Sequence, residues 1–163
     1  MSFTKDNPLM AMSNVFESVC LAAEHSQMVQ SVVQYVSPEK QFREQHSFEK
    51  RYAEAHRVLE KYPGRIPVIC ERDPRNSNLP PDQKKKFLIP TDMTIGQFVY
   101  VVRQRVRLPP EKAIFMFITK VKQDGSTTSI LAPTSQTFDK VYYDCKDRDG
   151  FLYVVTASEN VFG

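Results

Sequence analysis

A chain of 163 residues and 18.8 kDa holds one domain of ordinary size plus a short appendage, which excludes most large enzyme architectures. Hydrophobic residues at 41% and charged residues at 25% predict a buried core, and 22 basic against 19 acidic side chains leave +3, too mild a balance to call for nucleic acid. No apolar run approaches the ~20 residues needed to cross a bilayer and the first residues lack the order of a secretory signal, so a cytosolic chain with reduced thiols at Cys20, Cys70 and Cys145 is expected.

Residues 1–37 carry few charges among many small and apolar side chains and read as an appendage to a domain over 38–163. Leu9, Met12, Phe16, Val19, Cys20 and Ala23 keep helical spacing, as do Met28, Val32, Val33 and Val36. Ser37-Pro38 has the form of a helix start, residues 40–61 favour helix, and Tyr62-Pro63-Gly64 ends it. RIPVICE (65–71) and KFLIP (86–90) read as two strands of a hairpin, separated by the polar, turn-rich loop 73–83. Thr94 and Gln97 form a capping box opening a helix in which Ile95, Phe98, Val99, Val102 and Val106 share one face. Pro109-Pro110 ends that segment, AIFMFIT (113–119) reads as a buried strand, QDGSTTS (123–129) as a flexible loop, and FLYVVTA (151–157) as the last strand after a short helical piece. This order predicts an α+β chain with a β-grasp, a four-stranded mixed sheet around one helix.

Few residues suggest catalysis. Cys70 with His46 or His56 would supply a thiol and an imidazole for a cysteine hydrolase, but a small cysteine inside a strand reads as core. His25, His46 and His56 have no metal-ligand spacing, and the five glycines form no phosphate loop, so no enzyme, metal or cofactor is expected. The main concentration of positive charge is Lys84, Lys85 and Lys86 with Arg103, Arg105 and Arg107.

Several long blocks are more specific than any of these features. FEKR (48–51), RIPVICE (65–71), KKKFLIPTDMTIGQFVY (84–100), LPPEKAIFMF (108–117), and DGFLYV with the ending ENVFG resemble the autophagy-related protein eight family, the ubiquitin-like modifiers that include light chain three and GABARAP. The resemblance runs from about Phe42 to Gly163, and two departures stand out: a long appendage before Phe42 and added residues between Phe117 and Phe151. It implies a ubiquitin-like fold with two additional N-terminal helices at about 38–62, and conjugation of Gly163 to phosphatidylethanolamine by E1-like and E2-like enzymes, reversed by a deconjugating cysteine protease. It also implies docking of cargo receptors through aromatic-x-x-aliphatic peptides. Carried over by position, pocket one is Glu54, Val58, Pro67, Ile69, Lys86, Leu88 and Phe151. Pocket two is Phe87, Ile89, Pro90, Met93, Phe98, Val101 and Val102. Lys84, Lys85, Arg65 and Arg105 would meet acidic residues flanking the peptide.

On this reading the chain is a cytoplasmic modifier that marks autophagosomal or related membranes once lipidated. The alternative is a noncovalent trafficking or microtubule-associated adaptor that binds acidic partners, such as tubulin tails, through its basic face. Only the modifier needs chemistry at Gly163. A bare glycine offers no Cβ to obstruct an activating enzyme. The apolar stripe of residues 8–36 is expected to pack on the domain, as a cover over the peptide site, in preference to a second copy or a membrane.

Overall fold

The computed structural model describes residues 40–75, 79 and 85–158, which belong to one compact unit beginning at Lys40. The expected helices of the appendage, Ser37-Pro38, Lys84 and Gly163 lie outside the described residues.

Helices α1 (Phe42–Gln45) and α2 (Phe48–Lys61) are separated by an extended His46, and the Ser47 hydroxyl caps α2 by accepting from the Lys50 amide. The chain leaves α2 through Gly64 at φ 79, a conformation that glycine takes without steric cost. Five strands follow: β1 (Arg65–Arg72), β2 (Lys86–Pro90), β3 (Ile114–Val121), β4 (Thr127–Leu131) and β5 (Leu152–Ser158). Between them lie α3 (Ile95–Arg105) and α4 (Phe138–Cys145). The sheet order is β2-β1-β5-β3-β4; β1 and β5 run parallel at its centre and every other pair is antiparallel. The expected hairpin of β1 with β2 is present, and α3 opens on the expected box: Gln97 N donates to Thr94 Oγ1 at 3.2 Å and Thr94 N to Gln97 Oε1 at 2.9 Å.

Strand β4 departs from expectation, because the sheet has five strands where four are predicted and β4 begins inside the segment read as a loop. Its sequence TTSIL is solvent-facing at four of five positions, so it carries no buried alternation to reveal it. The local signal is the turn: Asp124-Gly125, with Gly125 at φ 83 and its amide donating to Lys122 O at 3.1 Å, closes the β3–β4 hairpin.

Strand β1 is buried from Ile66 through Cys70 because both faces of the sheet are covered. Successive side chains alternate between them. Ile66, Val68 and Cys70 join Ile89, Met116, Ile118, Leu152 and Val154 in the larger cluster, capped by Ile95, Phe98 and Val102 of α3 and by Phe138 and Val141 of α4. On the other face Ile69 packs with Phe151, Tyr153, Phe42 and Ala55 of α2. Cys70 therefore lies on the face opposite α2, which carries His56, and opposite Phe42, against whose ring His46 packs at 4.6 Å.

Candidate functional site at the β2 edge

Strand β2 pairs with β1 on one side only; among the described residues no strand pairs with its other side. Its outward N–H and C=O groups are a template for one more strand. The register sets Lys86 opposite Ile69 and Leu88 opposite Pro67, on the α2 face, and Phe87 opposite Val68 and Ile89 opposite Ile66, on the α3 face. The β2 residues assigned to the two pockets thus divide between opposite faces, except Pro90, which stands opposite Arg65 and shares the parity of Lys86 and Leu88.

Of the residues assigned to pocket one, Ile69, Pro67 and Phe151 are buried, and Glu54 and Val58 of α2 are half-buried. Lys86 bridges its mouth. Its ammonium lies 2.6 Å from Glu54 Oε1 and 5.2 Å from the centre of the Phe42 ring. Phe42, to which the sequence assigns no role, packs edge-on against Phe151 at 5.6 Å. Pocket two has Ile89, Phe98 and Val102 as its buried floor, and these three are also core. The half-buried Phe87 stands edge-on to Phe98 at 5.2 Å, with the Arg105 guanidinium 5.1 Å from its ring centre. Pro90 and Met93 are half-buried and Val101 is 42% exposed. Met93 and Val101 also line a shallow groove that continues over α3 to Tyr100 and Thr134.

The basic residues are less uniform than their sequence suggests. Arg65 is exposed at the start of β1, whereas Lys85 is folded inward, 3.3 Å from Glu71 Oε1 and donating to Lys40 O at 3.0 Å. A guest carboxylate near Lys85 would compete with Glu71, and one near Lys86 with Glu54. The Lys86–Glu54 pair is half-exposed and of modest strength, whereas the Lys85 and Glu71 side chains are only 16% and 12% exposed.

The wall formed by α2 is held by a polar cluster that no sequence pattern announces. Asp149, fully buried, accepts from Arg51 Nη1, from the Tyr153 hydroxyl at 2.6 Å and from the Phe151 amide at 2.9 Å; Arg51 also donates to the Tyr153 hydroxyl at 2.9 Å. Burial, reinforced by the bond to Asp149, pushes the Tyr153 phenol well above its usual range, so it stays a donor. Arg43 of α1 pairs with Asp147 and lies over the Tyr153 ring at 3.7 Å. Gly150 at φ 91 completes the turn, and a Cβ there would meet Ala55 Cβ at 3.1 Å. Residues 98 apart in sequence thus fix α2 over β5 and give pocket one its shape.

Among the described residues there is no cluster of metal-binding side chains and no helix long and apolar enough to cross a membrane. Comparison with known proteins matches residues 50–163 to the family model described as autophagy protein Atg8, ubiquitin like. A curated relative, autophagy-related protein 8 of Mycosarcoma maydis, is 51% identical over 122 residues, spanning 75% of this chain and 95% of the relative. Autophagy-related protein 8 of Candida albicans is 48% identical over 123 residues, 76% of this chain and 84% of the relative. Among solved structures, ATG8 of Trypanosoma brucei superposes with a TM-score of 0.62 at 36% identity, covering 74% of this chain and 96% of that one.

Proposed function

Because the chain belongs to the Atg8 family of ubiquitin-like autophagy proteins, we propose that it is a membrane-conjugated modifier that captures cargo receptors along the β2 edge. The observation that supports the reading is an edge strand that, among the described residues, pairs on one side only and whose alternate side chains turn to the two apolar clusters on opposite sheet faces. A peptide added as a sixth strand points residues of odd separation to opposite faces. An aromatic anchor and an aliphatic one three positions on suit this arrangement, one in pocket one and the other in pocket two. Each buried anchor contributes about 1.5–3 kcal/mol, against at least ~4 kcal/mol for lost freedom on association. Backbone hydrogen bonds and attraction to Lys84, Lys85, Lys86, Arg65 and Arg105 supply the surplus, giving Kd on the order of micromolar.

Conjugation is assigned to Gly163, the residue at which the family match ends. Once its carboxyl is free, an E1-like enzyme adenylates it with release of pyrophosphate, a cysteine thiol displaces AMP to give a thioester, and an E2-like enzyme presents that thioester to phosphatidylethanolamine. The lipid amine displaces the thiolate and an amide forms. Two acyl chains then hold the domain on an autophagosomal membrane where one would do so only marginally. A deconjugating cysteine protease would return the domain to the cytoplasm. The pairing of Lys85 with Glu71 and Lys86 with Glu54 leaves less basic surface for a tubulin-binding adaptor than the sequence suggests. Gly163→Ala should abolish the lipidated species and punctate localisation in cells while leaving peptide binding intact. A lipidated, membrane-marking Gly163→Ala protein would refute the assignment.

A further inference from the structure

We infer that a hollow at the start of α2 is a second docking site, separate from the β2 edge, and that it takes one carboxylate borne beside an apolar side chain on an acidic protein segment. The hollow, about 410 Å³ in volume, is lined by Arg43 of α1, Phe48 and Arg51 of α2, Val121 at the end of β3, and Asp147 and Arg148 before β5. In the sheet order β3 is separated from β2 by β5 and β1, so a guest here leaves the edge strand open. Its donors outnumber its acceptors. Asp147 accepts from Arg43, and the buried Asp149 accepts from Arg51, whose Nε donates to the His46 carbonyl at 3.2 Å. Arg148 is exposed, and among the described residues no carboxylate pairs with it. Arg43 Nε is one of two buried side-chain polar atoms, among the described residues, that have no hydrogen-bond partner. A buried donor left unmet is rare enough to point to a missing acceptor.

Charge selects the acceptor. Three guanidiniums, of Arg43, Arg51 and Arg148, against the carboxylates of Asp147 and Asp149 leave a single positive charge, and the first turn of α2 adds the positive end of its dipole. One carboxylate neutralises that surplus. A phosphate monoester, at about −1.5 to −2, overshoots it while facing Asp147 and Asp149. The walls set the second requirement. Phe48 is 43% exposed, with the Arg51 guanidinium 5.8 Å from its ring centre, and the half-buried Val121 lines the same hollow. A guest that brings only charge leaves this apolar surface in water, whereas a neighbouring aromatic or aliphatic side chain covers it. Arg43 also borders a second hollow, toward Asp73 and Thr119, but there Arg43 and Arg75 face Glu71 and Asp73 and the charges already balance.

The test is a nitrogen-15 NMR titration of the full chain, which follows backbone amides and arginine Nε–H groups. The probes are the blocked dipeptides acetyl-Glu-Phe-amide, acetyl-Gln-Phe-amide and acetyl-Glu-Ala-amide, and inorganic phosphate. The Glu-Phe probe should bind with Kd on the order of millimolar and move the Arg43 Nε–H resonance together with the amides of Phe48, Val121 and Arg148. Replacing its glutamate by glutamine should weaken it by about 10-fold or more, and replacing its phenylalanine by alanine several-fold. Arg148→Glu, at an exposed position, should weaken the Glu-Phe probe by about 10-fold, and Arg148→Lys by less because it keeps the charge and loses only the fork. Saturation of the β2 edge with a Trp-x-x-Leu peptide should leave these values unchanged, so the site stands or falls apart from the edge. Equal binding of the Glu and Gln probes, or no response at Arg43 and Arg148, would overturn the inference. Phosphate binding more tightly than Glu-Phe would reassign the hollow to a free oxyanion, and shifts confined to Lys86–Pro90 would return the probe to the edge; either result would also overturn it.

Discussion

Among the described residues the sheet has two edge strands, β2 and β4, each paired on one side only, and they are built differently. Strand β2 is short and largely half-buried, and its alternate side chains turn to the two apolar clusters of the sheet, with lysines at its start. Strand β4 is equally short, yet Thr127, Ser129, Ile130 and Leu131 are all exposed, Ile130 at 46% and Leu131 at 55%, in a hairpin that projects past the core. Both offer free backbone groups, so hydrogen bonding alone cannot distinguish them. What β2 has in addition is cover, with α2 on one face and α3 on the other, and on the proposed reading these layers shelter the peptide anchors from water. Specific recognition at a sheet edge comes from the layers above and below it, and an edge without them is only a strand end to be kept soluble.

The largest effect should come from removing the support of that cover. Asp149→Ala leaves Arg51 and the Tyr153 hydroxyl buried without their acceptor, at a cost of about 3–5 kcal/mol in urea denaturation. Pocket one should loosen with it. Next come the pockets themselves. Leu88→Ala and Phe87→Ala should each weaken a Trp-x-x-Leu peptide by about 1.5–3 kcal/mol, or roughly 10- to 100-fold, with unchanged circular dichroism. Unaltered affinity in both would dismantle the pocket assignment.

A smaller effect is expected from Lys86→Glu, which sets a carboxylate against Glu54 and against acidic peptide residues. Binding should fall most for peptides with flanking acids, and raising salt to 1 M should reproduce much of the loss in the unaltered protein. Salt-independent binding would reduce these charges to a solvated face. Smallest of all, Ile130→Thr on β4 should leave peptide affinity unchanged and stability within ~0.5 kcal/mol, as expected of an exposed side chain outside any pocket. A loss of peptide binding there would reverse the comparison between the edges.

The same contrast explains how much of the molecule could be read beforehand. RIPVICE, KFLIP and the Thr94–Gln97 box are legible because burial and capping leave a local imprint, whether a continuous apolar run, an alternation or a residue pair three apart. Strand β4 leaves none, since its neighbours are water and one strand; only Asp124-Gly125 marked it. The pocket residues were reachable by position within the family blocks, and β-sheet alternation then accounts for their division between two faces. Phe42, Glu71 and the Arg51–Asp149–Tyr153 cluster were not reachable, because each gains its meaning from a partner at least 29 residues away.

The most direct test of the β2 edge is backbone amide exchange on the full chain, with and without saturating Trp-x-x-Leu peptide. New protection should appear in Lys86–Pro90, where outward amides acquire partners, and Thr127–Leu131 should be unchanged. Protection confined to Thr127–Leu131, or absent from both edges while the peptide is bound, would contradict the account.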